Sequence, residues 1–430
     1  MSRRLSGGSE RARPDKSFRL VRLATLIALV VGAGGAQAQK APLPPISPNA
    51  TVRVLFSFFS EATSKQPISL IKATTGLFYG TTVGGEGDAG SVFSISEDGT
   101  FATLHFFSGS DGDLPYGQLF EGDDGSLYGT TILGGATYQG TSFRITPDGL
   151  FTILHDFGSD PSDGTHPWGG VVQGGDGNFY GTTFDGGLNA VGTVYRMTPE
   201  GDVTILHNFS ASGGYPNGQT LTLGADGLLY GGTIGVLTLH LYGTIFRISI
   251  DGEFKLLYSF PAPSPFDTTS GYGPVAPLVQ ASDGDFYGTT QFGSGPDAAG
   301  TVFRMTPNGK VRYLHSFHCP TREGCERICE PGCYPTNALV EAPDGFFYST
   351  ISGCKDGQDC VYRINRSGEY ADLYDFTSQE AMSAGNLIPG DGAVRYYSFA
   401  QGGGTIQHRS DGDVFSINLE LLSRDHGQGW

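Results

Sequence analysis

Four histidines occupy one place in a recurring phrase of this sequence, where their imidazoles could bind a transition metal. They are His105, His155, His207 and His315. The same place in other copies of the phrase holds Phe56, Tyr258 and Tyr374, which cannot replace a histidine ligand. Equivalent places in a repeat protein also lie on separate units, too far apart to share one ion. We therefore interpret this position as a structural aromatic and predict no metal site and no cofactor.

Nine other side chains stand outside the recurring phrases and are candidates for binding a ligand. They are His166, Trp168, His240, Tyr242, His318, Arg322, Arg327, His408 and Arg409. The aromatic members could stack on sugar rings, or could pack on their own loops instead. The basic members could bind an anion, although Glu323, Glu326 and Glu330 lie among them and can neutralise them.

The recurring phrase defines the units that must position these side chains. It is a version of aromatic-Tyr-Gly-Thr-Thr, followed by a Gly-rich loop, by Gly-Thr-Val-Phe-Arg-Ile-Thr-Pro-Asp-Gly and by Leu-His-x-Phe. Its seven tyrosines are Tyr79, Tyr128, Tyr180, Tyr230, Tyr287, Tyr348 and Tyr397. They are separated by 49, 52, 50, 57, 61 and 49 residues. A near-constant period of this size indicates one supersecondary unit that is copied and stacked.

Each unit is predicted to contain four short strands. In the third copy, these strands cover residues 170–173, 178–184, 192–198 and 203–209, because β-branched and aromatic residues dominate them and Gly-containing turns separate them. The Asp-Gly pairs are typical of tight hairpin turns. There is no Asp-x-Asp-x-Asp-Gly loop that would indicate calcium.

Four-stranded antiparallel units in radial repetition predict a β-propeller. Residues 52–59 resemble the fourth strand of a unit, whereas residues 413–419 resemble a third strand with no fourth strand after it. Pairing these two segments would close the ring and remove two exposed sheet edges. The sequence therefore predicts an all-β, seven-bladed β-propeller over residues 51–420, closed by the N-terminal strand and followed by a tail at 421–430.

The loops of such a ring divide into two faces. Loops that enter each blade, and loops between its second and third strands, vary in length and should share one face, which we call the variable face. The long entering loops cover residues 108–117, 158–169, 211–218, 261–277 and 318–337. The short Asp-Gly turns should form the opposite face, which we call the turn face. Binding or catalysis is expected on the variable face.

Residues 1–38 have the features of a secretory signal peptide. A basic segment precedes an apolar core at residues 24–31, which is too short to span a bilayer, and Ala36-Gln37-Ala38 is typical of a cleavage site. We predict cleavage near Ala38, a linker at 39–50, and a secreted or periplasmic monomer that is not inserted in a membrane. The net charge of −17 disfavours nucleic acid as a partner.

All six cysteines lie in one part of the predicted sixth blade and the loop that enters it. They are Cys319, Cys325, Cys329, Cys333, Cys354 and Cys360. Their spacing lacks the Cys-x-x-Cys pair that zinc prefers, and an exported chain meets an oxidising compartment. We therefore predict three disulfides, of which a Cys354–Cys360 bridge would clamp one hairpin, while other pairings stay open.

The repeated phrases resemble a known family. The stretches 180–183, 192–199 and 206–209 are similar to the GloVer tandem repeat of exported bacterial proteins, and the similarity extends over about residues 50–420. The resemblance implies export and a repeat fold. It implies no catalytic residue, because the family carries no catalytic motif to transfer.

Two classes of function are compatible with these features. One is a module that binds an extracellular glycan or protein through the variable face. The alternative is a carbohydrate-active enzyme, a polysaccharide lyase or a glycoside hydrolase, with its site on the same face. No pair of loop carboxylates stands out as catalytic, so the sequence favours binding.

Overall fold

The fold is that of a computed structural model, which describes residues 50–58, 66–84, 89–160, 162–216, 218–235, 240–264, 266–267, 269–294, 298–318, 334–352, 359–376, 384–390, 395–403 and 410–419. The strands are β1 (Thr51–Phe58), β2 (Gln66–Lys72), β3 (Phe78–Val83), β4 (Ser91–Ile95), β5 (Phe101–Phe106), β6 (Phe120–Glu121), β7 (Leu127–Thr131), β8 (Thr141–Ile145), β9 (Phe151–Asp156), β10 (Gly164–Thr165), β11 (Val172–Gln173), β12 (Phe179–Thr183), β13 (Asp185–Gly186), β14 (Thr193–Met197), β15 (Val203–Asn208) and β16 (Tyr215–Pro216). They continue as β17 (Thr222–Leu223), β18 (Leu229–Ile234), β19 (Thr244–Ile248), β20 (Phe254–Ser259), β21 (Gly271–Pro274), β22 (Val279–Gln280), β23 (Phe286–Gly293), β24 (Ala298–Met305), β25 (Val311–His318), β26 (Val340–Glu341), β27 (Phe346–Ile351), β28 (Cys360–Asn365), β29 (Tyr370–Asp375), β30 (Ile388–Pro389), β31 (Arg395–Gly403) and β32 (Ser410–Asn418). One 3-10 turn of helix lies at Ala211–Gly213.

These strands form seven four-stranded antiparallel blades of a β-propeller in the described part of the chain, as predicted. Blades one to seven consist of β2–β5, β6–β9, β11 with β12, β14 and β15, β16–β20, β21–β25, β26–β29, and β30–β32 with β1. In blades four and five the first strand is split in two pieces, which both pair with the second strand. The third-copy strands begin or end within two residues of the predicted bounds.

The N-terminal strand supplies the fourth strand of blade seven. β1 pairs antiparallel with β32 from Thr51 opposite Asn418 to Phe58 opposite Gly412. One buried cluster then joins blade seven to blade one and contains Phe58, Leu70 and Phe78 together with Tyr397 and Phe399. The first and last blades are therefore packed against each other as the other neighbours are.

The aromatic-Tyr pair of the repeat forms the main contact between neighbouring blades. Each tyrosine of a second strand packs on the residue that precedes the tyrosine in the next blade. The ring pairs are Tyr128–Phe179, Tyr230–Phe286, Tyr287–Phe347, Tyr348–Tyr396 and Tyr397–Phe78, with centroids 4.0, 4.0, 4.2, 5.1 and 4.3 Å apart. In the remaining two contacts the partner is a leucine. Tyr79 shares a buried cluster with Leu127, and Tyr180 shares one with Leu229.

The hydroxyl of the repeat tyrosine bonds to the Asp-Gly turn of its own blade. Tyr180 donates to Asp176 at 2.8 Å and Tyr287 donates to Asp283 at 2.9 Å, and the same bond occurs in blades two, four and six. Burial and the neighbouring Asp124 carboxylate raise the pKa of Tyr128 to about 12. These Asp residues thus have a structural role, in agreement with the prediction of turn chemistry.

The repeat histidines pack between the outer strands of neighbouring blades. His105 stacks on Phe151 and His207 stacks on Phe254, each with ring centroids 3.8 Å apart and planes 3° from parallel. Phe56 makes the same contact with Phe101 at 4.0 Å. The position therefore needs a flat ring, which explains why histidine, phenylalanine and tyrosine exchange there.

We predict that adding a methyl group to the glycine of the Tyr-Gly-Thr-Thr stretch destabilises a blade. A Cβ on Gly129 would lie 2.5 Å from Cζ of Phe143, which is fully buried. Gly129→Ala should lower the free energy of unfolding by about 1–3 kcal/mol in denaturant titrations. Gly175→Ala is the matched control, because a Cβ there meets nothing within 4 Å. Equal stability of the two variants would contradict the close approach.

We predict that His315 contributes to loss of stability in acid. Burial, with a smaller effect of His318, lowers the pKa of His315 from 6.5 to about 4. Unfolding then takes up a proton between these pH values, so stability falls as pH drops from 6.5 to about 4. His315→Phe keeps a ring against Tyr370 and should remove about 1–2 kcal/mol of that pH dependence. Melting temperatures at pH 7 and 4.5 test this, and His240→Phe at an exposed site should leave the difference unchanged.

Candidate functional site

The loops that enter the blades pair through their backbones with the loops that follow the second strands. Both kinds of loop therefore lie on one face, as predicted. In blade three, β10 of the entering loop pairs with β13 of the loop after the second strand. In blade two, Asp113 pairs with Leu133 in the same way, and in blade six Tyr334 pairs with Ser352. The entering loop therefore extends the blade toward the variable face, and its side chains lie close to those of the neighbouring loop.

Two carboxylates, one buried and one partly exposed, fix two entering loops to the preceding blade. Asp163 is 4% exposed, and its Oδ2 lies 2.8 Å from His155 Nε2 while it accepts a bond from Gly158 N at 3.2 Å. Asp111 binds His105 Nε2 at 3.0 Å and accepts a bond from Ser108 N. His105 and His155 thus contribute to the variable face by holding loops in place.

Three aromatic rings form a continuous stack between blades three and four, which we call the ring run. Trp168 stacks on Phe184 with centroids 4.9 Å apart and planes 15° from parallel. Phe184 stacks in turn on Tyr215 at 5.4 Å and 27°. Trp168 also lies over Gly218, where an added Cβ would come 2.6 Å from Trp168 Cβ. The packing fixes the indole while leaving 41% of Trp168 exposed.

A second set of rings follows across blades four to six. Tyr242 contacts Tyr272 edge-on at 5.5 Å, and Tyr272 stacks on Phe292 at 5.2 Å. Phe292 reaches Tyr334 at 5.9 Å. Burial raises the pKa of Tyr272, with added effects of Tyr242 and Tyr334. In the described part of the chain, aromatic side chains from blades three to six therefore follow one another along the variable face.

The predicted candidates fall into separate groups. His166 has a left-handed backbone with φ of 56°, its backbone N–H donates to the carbonyl oxygen of Gln139 at 2.8 Å, and its Nδ1 lies 3.3 Å from Asp185 Oδ2. His240 and Tyr242 line one cavity in blade four. His318 is exposed, with Nδ1 3.0 Å from the carbonyl oxygen of Ser316. Arg322, Arg327, His408 and Arg409 lie outside the described residues, so the predicted basic cluster stays a prediction.

The cysteine cluster is described at one position. Cys360 is fully buried at the start of β28, opposite Ile351 of β27. Cys319, Cys325, Cys329, Cys333 and Cys354 lie outside the described residues. The three disulfides therefore stay a prediction.

Sequence reasoning missed contacts on the turn face. Glu121 accepts bonds from Thr74 N and Oγ1 of the preceding blade, and Glu341 accepts the same pair from Ser282. An open groove of about 460 Å³ lies beside the Glu341 contact, lined by Arg312, Arg366 and Asp344 among others. Arg366 was the available signal, because three other copies carry Pro at its place, and it binds Glu341.

Among the described residues, no group of three or more His, Cys, Asp or Glu side chains could hold a metal ion. No helix in the same part of the chain has the length and apolar character needed to cross a membrane.

The fold and its seven repeated contacts define a propeller built from tandem repeats. The family model described as the Gloeobacter/Verrucomicrobia repeat matches residues 33–235 and 160–330. The chain belongs to this repeat family. No curated protein matches the chain.

Solved structures show the same fold at low sequence identity. A virginiamycin B lyase from Staphylococcus aureus, crystallised as a catalytically inactive variant with quinupristin, is 14% identical with a TM-score of 0.53, covering 86% of this chain and 100% of that one. The extracellular domain of a putative hybrid two-component system from B. thetaiotaomicron is 11% identical with a TM-score of 0.54, covering 89% of this chain and 44% of that one. At these identities the likeness extends to the propeller fold alone.

We predict that Asp163 positions Trp168. Asp163→Ala removes the partner of His155 and of Gly158 N, so the loop at 158–169 should loosen and stability should fall by about 1–3 kcal/mol. The sequence has 2 tryptophans, so a Trp430→Phe background makes the fluorescence report on Trp168 alone. A red shift of the emission is expected. Asp160→Ala, which removes an exposed carboxylate from the same loop, should leave the spectrum unchanged.

Proposed function

We propose that this chain is an exported, non-catalytic module that binds a neutral saccharide through its variable face. The ring run carries this proposal, because Trp168 is held rigidly by Phe184 and Gly218 yet keeps 41% of its surface open. A fixed, partly exposed indole offers a flat apolar surface on which the C–H face of a sugar can stack at little cost in side-chain entropy.

The charge of the chain narrows the ligand class. With a net charge of −17, the molecule repels polyanionic glycans at long range, and neutral saccharides carry no such cost. We further propose that residues 1–38 are removed near Ala38, that the product acts outside the cytoplasm as a monomer, and that the cysteines form disulfides there.

We predict that replacing Trp168 with Ala abolishes most saccharide binding. The test titrates cellohexaose, xylohexaose, maltohexaose and mannohexaose into the Trp430→Phe protein and follows Trp168 fluorescence. At least one probe should change the emission, and calorimetry should show an affinity loss of about tenfold or more in Trp168→Ala. Leu150→Ala is the control, since Leu150 is 67% exposed on the turn face.

Three results would count against the proposal. Unchanged affinity in Trp168→Ala would remove the ring run from the binding surface. Release of reducing ends or unsaturated products in the same incubations would replace binding by hydrolysis or elimination. If no saccharide binds and the same surface binds a protein, the variable face is a protein-binding surface instead.

A further inference from the structure

Blade four contains a cavity of about 150 Å³ on the variable side. Ser212 of the entering loop, His240 and Tyr242 of the loop after β18, and Ser259 with Leu256 of the outer strand all line it. Phe260, which is 5% exposed, also lines it. The cavity is therefore bounded by both kinds of variable loop and by the outer strand.

In blades two and three, a side chain of the outer strand reaches the loop that bounds the corresponding place. In blade two, Asp156 Oδ1 accepts a bond from Ala136 N at 2.8 Å, and in blade three Asn208 Oδ1 accepts one from Leu188 N at 2.8 Å. Ser259 holds the equivalent place, because it pairs with Thr244 as Asn208 pairs with Thr193. Ser259 is shorter than Asp156 and Asn208, and it lines the cavity of blade four.

The lining suits one sugar ring. The hydroxyls of Tyr242 and Ser259 and the imidazole of His240 make no side-chain hydrogen bond with another described residue, so they can bond to ligand hydroxyls. Leu256 and Phe260 supply an apolar wall. A neutral pyranose presents this combination of hydroxyls at the rim and C–H groups on the faces. The volume lies below the roughly 300–1,000 Å³ of sites for larger ligands, so one ring fits and a continuing chain does not.

The cavity is adjacent in the chain to the ring run. Gly214 lines the cavity, and the next residue, Tyr215, is the last ring of the stack that begins at Trp168. We propose that the blade-four cavity receives the terminal residue of a neutral saccharide whose following residues lie on the ring run. This inference rests on the proposed saccharide binding, and it makes the module specific for chain ends rather than for internal segments.

The test separates the cavity from the ring run with small probes. Methyl glycosides of glucose, galactose, mannose, xylose and arabinose are screened by saturation-transfer difference NMR against the full mature chain, and at least one should bind. Ser259→Asn places in blade four the longer side chain that holds the equivalent place in blade three, so it should abolish methyl glycoside binding. Tyr242→Phe removes one hydroxyl without changing shape and should weaken binding about fivefold or more. Thr204→Asn, on the exposed outer strand of blade three, is the matched control.

The outcomes are distinguishable from those of the hexasaccharide test. Trp168→Ala should keep methyl glycoside binding while losing hexasaccharide affinity. The cavity is not a subsite if no methyl glycoside binds. The same conclusion follows if both Ser259→Asn and Tyr242→Phe bind the methyl glycoside as tightly as the unaltered protein does. Either result leaves hexasaccharide binding to the ring run unaffected. Equal affinity for maltohexaose and for α-cyclodextrin, which has the same residues and linkages without ends, would also overturn chain-end specificity.

Discussion

The contact of each second-strand tyrosine with the next blade is the constraint on which the rest of the ring depends. One tyrosine serves two purposes: its face packs on the neighbouring blade, and its hydroxyl bonds to the Asp-Gly turn of its own blade, as in Tyr128 with Phe179 and Asp124. The bond from the hydroxyl to the turn holds the tyrosine ring in one orientation. Because the next blade packs on that ring, the turn helps to set the angle between the two blades. The same hydroxyl bond occurs in blades two to six, which make up most of the ring.

This constraint also explains the small residues around it. Gly129 allows Phe143 to cover the strand, and Thr131 bonds across the blade to Thr141 at 2.9 Å. Where the phrase changes, the partners change with it. In blade six Ser349 replaces the glycine and bonds to the carbonyl oxygen of Ala338 at 2.9 Å. The residues of the recurring phrase thus all contribute to packing within and between blades. The loops do not take part in these contacts and can therefore vary in sequence.

Fold and site differ in how far they can be predicted from the sequence. The blades were predictable because each strand and turn carries a local signal, such as the Asp-Gly pairs and the period set by the tyrosines. Trp168 and Tyr242 were predicted as candidates since they interrupt the pattern. Phe184 and Tyr215 were not predicted. From the sequence, Phe184 is interpreted as the last residue of a strand, and its stacking on Tyr215 depends on how two neighbouring blades are oriented. The blade-four cavity was missed because two loops and the outer strand line it together, and they are separate in the sequence.

The pairing of β1 with β32 has a consequence for the order of folding. Thr51 is among the first described residues to be synthesised, and its partner Asn418 is among the last. The contact of highest sequence separation therefore forms between the two ends, and its loop entropy is compensated only when the whole ring is present. Blades one to six can assemble as the chain lengthens, but blade seven cannot be completed until β32 has been synthesised. An incomplete chain keeps an open edge, which distinguishes it from the finished molecule and makes a truncated product prone to pair with another chain.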